Sequence, residues 1–288
     1  MFGYGASNFN YGAMTSFYQA NSLVAKFAFL VMVLLVFIIV LRLGTAVLAW
    51  YFTPPENPVL LDGMIDSTKM MVIPQNPIVK GSVPITRSDN EIHGMEFTWS
   101  VWIFIESSTF DNSDHRYKHI FHKGTDKQHT TVDGVSNGTY YPNNAPGLYI
   151  DQGPDGLSND LLVKMNTYDE IEDNISVTGV PIEKWVNVII RLNKQNQLDV
   201  YINGTLTKRH MLSGIAKQNY EDVYLSMNGG FNGFTSELRY FNSAIGTTQI
   251  YDLVSNGPNL KSKTESLIKS TPRYLSNRWY FEEAQDIN

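Results

Sequence analysis

The chain has 288 residues, of which 43% are hydrophobic and 17% charged, a balance that supports a packed core. Its formal net charge is −6, and its Lys and Arg are dispersed rather than clustered, which excludes a nucleic-acid partner because phosphate binding needs concentrated positive charge. There is no Cys, so disulfide scaffolds and thiolate metal sites are excluded as well.

Residues 1–22 form a Gly/Tyr-rich tail with a loose seven-residue repeat that places Tyr4, Tyr11 and Tyr18 in register. Gly3, Gly5 and Gly12 oppose a helix there, so the tail is read as irregular. Residues 23–52 are almost wholly apolar, with Lys26 and Arg42 the charges, and the run from Phe27 through Leu35 to Leu41 carries none. About 20 apolar residues cross a hydrocarbon core of ~30 Å, so this segment predicts one transmembrane helix and a lipid bilayer as partner. The span is centred on 24–46, with Lys26 and Arg42 near opposite surfaces, Trp50 and Tyr51 in an interfacial belt, and Pro54 and Pro55 as the stop. Orientation stays open, since the positive-inside comparison has almost nothing to count.

Residues 53–93 are punctuated by Pro and read as a linker with one strand near Met70–Ile73. From residue 94 the period becomes two. Phe97, Trp99, Val101, Ile103 and Ile105 alternate with Thr98, Ser100, Trp102 and Phe104, predicting a central strand. Val186 to Leu192 and Leu198 to Ile202 alternate in the same way, and Asn203-Gly204 marks a tight hairpin that returns along 205–209. Val223, Leu225 and Met227 supply a further strand, and Phe234, Ser236, Leu238 and Tyr240 are assigned to one face of another. A short helix follows, with Thr247 as N-cap, Ile250, Leu253 and Val254 inward, and Gly257 closing it. Residues 258–288 are a tail in which 278–281 form a candidate closing strand. The pattern is all-β: an antiparallel jelly-roll β-sandwich over 94–257, preceded by one helix. Asn137, Asn174 and Asn203 head glycosylation triplets.

Five segments in this order resemble the concanavalin A-like lectin/glucanase superfamily, in its laminin-G-like or pentraxin-like branch. They are Phe97-Thr-Trp-Ser-Val-Trp-Ile103, Ile120-Phe-His-Lys-Gly124, Pro146-Gly-Leu-Tyr-Ile150, Val180 to Gly204, and Gly230 to Phe241. The resemblance implies a sandwich of two sheets that in the family binds glycans or proteins and sometimes hydrolyses polysaccharides. Hydrolysis needs two carboxylates flanking a sugar, which the family's hydrolases supply from an alternating Glu-x-Asp-x-Glu strand. Here 169–174 reads Asp-Glu-Ile-Glu-Asp-Asn, with Glu172 where the middle Asp belongs, so no catalytic residue is assigned and the stretch is read as a solvated loop.

Some family members hold calcium. Asp151, Asp155 and Asp160 offer hard oxygen donors without a fixed ligand spacing, so calcium is carried only as a weak candidate cofactor beside an ordinary Gly/Asp turn. His115, His119, His122 and His129 invite zinc, yet on a regular strand His119 and His122 point to opposite faces, and they are assigned as surface or packing residues. Trp102, Phe104, Tyr149 and Tyr201 fall on outer or rim positions. There they either bind, stacking on sugars or anchoring a protein, or lie covered by flanking segments. In overall style the chain resembles membrane-linked minor capsid proteins of large icosahedral DNA viruses. The leading expectation is a non-enzymatic structural protein with capsid-protein partners, and the alternative is a glycan-binding lectin.

Overall fold

The computed structural model describes residues 23–53, 55–88, 90–92, 94–110, 115–130 and 134–262. The heptad-like tail, the Pro54 stop and the closing strand at 278–281 lie outside them. The chain divides into two compact units at residue 53.

The first unit contains α1 (Leu23–Phe52), a helix of 30 residues and therefore about 45 Å long. Within its stretch Leu23–Tyr51 an 18-residue window has a mean hydropathy of 3.1 with no part buried by protein, so the helix is long and apolar enough to cross a membrane. Lys26 and Arg42 stand about 24 Å apart along the axis at 1.5 Å per residue, close enough to the two surfaces of a bilayer for their stems to reach headgroups. Thr45 and Thr53 return their hydroxyls to the Arg42 and Ala49 carbonyls, satisfying acceptors near the end of the helix.

The second unit is an antiparallel sandwich. Its strands are β1 (Met64–Asp66), β2 (Met71–Ile73), β3 (Asn90–Glu91), β4 (Gly94–Met95), β5 (Phe97–Ile105), β6 (Tyr117–Gly124), β7 (Gln128–Thr130) and β8 (Ser136–Tyr140). After these come β9 (Asn144–Asp151), β10 (Asp160–Met165), β11 (Asp173–Val177), β12 (Trp185–Asn193), β13 (Gln197–Ile202), β14 (Thr205–Met211), β15 (Val223–Leu225) and β16 (Gly233–Phe241). One six-stranded sheet runs β1-β16-β5-β12-β13-β14 and the other β11-β10-β9-β6-β15-β2. The alternation read from the sequence is what closes them: Phe97, Trp99, Val101, Ile103 and Ile105 of β5, with Val186, Val188, Ile190 and Leu192 of β12, face Phe121, Leu148, Ile150 and Val163 of the opposite sheet. Asn203 and Gly204 have φ of 49° and 79°, the left-handed pair that the β13–β14 hairpin requires.

Three expectations are corrected. Residues 53–93 are more than a linker with one strand, because Leu60 and Leu61 are buried in the core and β1 and β2 complete one sheet each. In β16 a register shift between Ser236 and Arg239, with Glu237 at φ 53°, turns the strand over, so Phe234 and Ser236 point outward while Leu238 and Tyr240 enter the core. The helix α2 (Thr247–Asn256) begins one residue earlier than read: Gly246 is its N-cap and Gln249 accepts the Gly246 N–H at 3.2 Å. It lays Ile250 and Leu253 over Ile189 and Tyr201 on the outer face of the first sheet.

Candidate functional site

At one end of the sandwich the two sheets part around a cavity of about 290 Å³. Its floor is the core face of both sheets: Phe97 and Trp99 of β5, Tyr240 of β16 and Ala145 of β9. Trp99 and Tyr240 meet edge to face with centroids 5.1 Å apart, which fixes the aromatic floor. Its mouth is made by the loop after β2 and the loop before β15, carrying Asn76, Arg87, Gln218 and Tyr220.

Gln75 holds the first loop in place. Its side chain donates to the Ile73 and Val83 carbonyls and accepts the Ile85 N–H, while its backbone N–H reaches Asp222 Oδ1 at 2.8 Å. The second loop is tied to β6 through Asn219, which donates to the Lys123 carbonyl at 3.0 Å. Arg87 bridges the two loops, donating to Gln218 Oε1 at 3.4 Å and to the Tyr220 hydroxyl at 3.1 Å. Tyr220 is 77% exposed at the rim. The amide nitrogens of Asn76 and Gln218 have no acceptor among the described residues, because only their oxygens are engaged.

Lys123 is the unusual group. It lies on the core face of β6, 7% exposed, and lines the cavity. Its ammonium donates to the Glu221 carbonyl and has no carboxylate within ion-pair distance among the described residues. Burial pulls its pKa down to about 8, although Asp222 and Glu221 act in the opposite direction. Glu221 itself is held by Asn143 and Thr125, at 2.9 and 3.2 Å.

The residues singled out in the sequence lie elsewhere. Tyr149, expected at an outer or rim position, is on the outer face of β9 but fully buried with Tyr140 and Met227, and its hydroxyl donates to Asn144 at 2.6 Å. Tyr201 is buried beneath α2. Trp102 is 6% exposed between Asn187 and Ser236, where the Ser236 hydroxyl donates to Asn259 of the segment that follows α2. Phe104 is half-buried in a cross-strand row with Trp185 and Phe234, at centroid distances of 5.7 and 6.4 Å. Three of the four are therefore packing residues.

His119 and His122 are also corrected. A register shift between His119 and Phe121 places one extra residue in β6, so both rings project from the same face and meet at 2.7 Å. They are buried, with His122 stacked between Tyr140 and Tyr224 at 4.8 and 5.2 Å. Among the described residues no group of three His, Asp or Glu is placed to hold a metal ion. Both oxygens of Asp151 take the Arg116 guanidinium, at 2.8 and 3.0 Å, and Asp160 accepts the Gly179 N–H. In the acidic stretch Glu172 pairs with the buried Lys164 at 2.9 Å, and Asp173 accepts from His210 and from the Ser213 N–H. These two carboxylates are tethers rather than solvated groups.

No family model matches this chain, and no curated protein matches it. Among solved structures it is similar to the receptor binding domain of botulinum neurotoxin C/D mosaic serotype, at 13% identity and a TM-score of 0.41, over 56% of this chain and 36% of that one. It is similar to the receptor binding domain of botulinum neurotoxin D at 12% identity and a TM-score of 0.45, over 70% and 52%. The binding domain of botulinum neurotoxin serotype G matches at 11% identity and a TM-score of 0.42, over 67% and 46%. The chain thus spans about half or less of the length of these neighbours.

Proposed function

We propose that this chain is a membrane-held, non-enzymatic recognition protein whose sandwich captures a glycan in the cavity bounded by Arg87, Lys123, Gln218 and Tyr220. The observation that carries this reading is the chemistry of the cavity: an aromatic floor, an exposed tyrosine ring at the rim and amide N–H groups without an acceptor among the described residues. A sugar offers an apolar C–H face for the ring and hydroxyl oxygens for the amides. A protein-docking scaffold, the other reading open from sequence, loses support at its candidate anchors, because Trp102, Tyr149 and Tyr201 are buried. The tethered Glu172 and Asp173 favour binding over hydrolysis.

The test uses the full chain in detergent micelles on an array of mono- and oligosaccharides. Tyr220→Ala is expected to weaken the sugars bound by about fivefold, the value of one stacking contact of about 1 kcal/mol, without changing the circular dichroism spectrum. Absence of binding to any sugar sinks the proposal. The membrane half is checked by carbonate extraction: the chain stays with the lipid pellet, and Leu35→Asp, a charge at the centre of α1, moves it toward the supernatant. Release of the unaltered chain by carbonate overturns the anchor.

A further inference from the structure

We infer that the glycan is acidic, and that the carboxylate of a terminal sugar residue completes the cavity by pairing with Lys123 while Arg87 meets it at the mouth. This rests on the glycan-binding reading and extends it to a substrate class.

Lys123 carries a buried ammonium that forms no ion pair within 4 Å among the described residues, although Asp222 and Glu221 act on it from further away. It belongs to the strand Ile120-Phe-His-Lys-Gly, and its side chain enters the space between the sheets among Phe97, Trp99 and Tyr240. A buried charge is retained when it is paired and hydrogen-bonded. Lys123 has three N–H donors and gives one to a backbone carbonyl, and the cavity it lines is the direction left for the others. The carboxylates that influence it from neighbouring loops are otherwise engaged. Asp222, which itself lines the cavity, accepts the Gln75 N–H through Oδ1, and Glu221 accepts from Asn143 and Thr125; against this one carboxylate the cavity sets two cations, Lys123 and Arg87. The lowered pKa of Lys123 agrees with this, since burial outweighs both acids.

Arg87 adds the second cation. Its planar guanidinium keeps N–H groups beyond the two given to Gln218 and Tyr220, in a geometry suited to a carboxylate. A cavity of about 290 Å³ is at the small end for ligand pockets, which suits one terminal sugar residue better than a chain segment. The hydroxyls of that residue then reach the Asn76 and Gln218 amides.

The experiment compares acidic sugars with neutral counterparts on the full chain in micelles, by titration calorimetry: 3′-sialyllactose against lactose, and methyl glucuronoside against methyl glucoside. In at least one pair the acidic member is expected to bind tenfold or more tightly. Arg87→Gln at the exposed mouth and Lys123→Met in the wall should each reduce that preference below threefold. Raising the pH from 7 to 9.5 should erode the preference in the wild type, as Lys123 loses its proton, and leave Lys123→Met unchanged. Equal binding of acidic and neutral sugars overturns this inference and leaves the glycan-binding reading standing. A preference that persists in both variants overturns it too, since another site then reads the charge. Failure of every sugar to bind sinks the glycan-binding reading itself.

Discussion

Lys123→Met should make the sandwich more stable at neutral pH, even as it removes the preference for acidic sugars. The free energy comes from proton linkage. Lys123 titrates near 10.5 in the unfolded chain and at about 8 in the fold, where burial disfavours the charged form. The unfolded state therefore binds the proton more tightly. A gap of that size costs the folded state about 3 kcal/mol, fully felt below pH 8 and relieved as pH rises from about 8 through 10.5. Methionine has similar length and fills the site without a charge. It forfeits the hydrogen bond to the Glu221 carbonyl, worth about 1 kcal/mol. The net gain is about 1–2 kcal/mol, or a rise of roughly 2–8 °C in Tm for a domain of this size. Thermal unfolding of both proteins at pH 7 and pH 9.5 provides the check: the variant melts higher at pH 7, and the gap narrows at pH 9.5. A variant that melts lower at pH 7 marks Lys123 as a structural residue. Stability gained where binding is lost is the signature of a group retained for its ligand.

The strands that could be read from the sequence were those with strict alternation. Phe97 to Ile105 and Val186 to Leu192 carry five and four apolar residues at period two, and each lies where the pattern puts it. The hairpin at Asn203-Gly204 was legible because so few residue pairs adopt positive φ together. Features without a period escaped. β2 was read near Met70–Ile73, but β1 has three residues, too few to alternate, and the prolines around Leu60 and Leu61 hid two core residues. The bulges in β6 and β16 each reverse the facing of the residues beyond them, and a bulge has no residue code of its own beyond the occasional glycine. The candidate site was the least legible part. Gln75 and Asp222 lie 147 positions apart, joined only by the closure of the sandwich. One signal was present: a lysine inside the apolar strand segment Ile120-Phe-His-Lys, on the face that continues from Phe121. The histidines beside it show the cost of misreading a bulge, because rings assigned to opposite faces are in contact.

That contact makes a second large effect expected, a loss of stability on mild acidification. The Met227 N–H donates to His119 Nδ1 at 3.0 Å, so the His119 proton is on Nε2. Nε2 donates to His122 Nδ1 at 2.7 Å, which leaves the His122 proton on Nε2, where the Thr125 carbonyl accepts it at 2.9 Å. All four ring nitrogens are used and both rings are neutral. A third proton must break one of these bonds in a site enclosed by Tyr140, Tyr149 and Tyr224. Burial holds His119 well below the usual histidine range, with His122 adding to it, and brings His122 to about 4 against a weaker opposing pull from the Thr125 carbonyl and Asp126. The folded-state values are depressed, so the stabilisation is complete above the unfolded value near 6.5 and drains as pH falls from there through about 4. His122 alone accounts for about 2–3 kcal/mol by pH 4.5, and His119 adds to it. Against a typical total of about 5–15 kcal/mol this brings the sandwich near its unfolding threshold. Urea unfolding of the full chain in micelles at pH 7 and pH 4.5 measures the loss. In His122→Gln the side-chain amide can accept from His119 and donate toward Thr125 without titrating, so the pH-dependent part should shrink by about 2 kcal/mol whatever the variant's stability at pH 7. Identical losses in the two proteins assign the acid sensitivity to other groups.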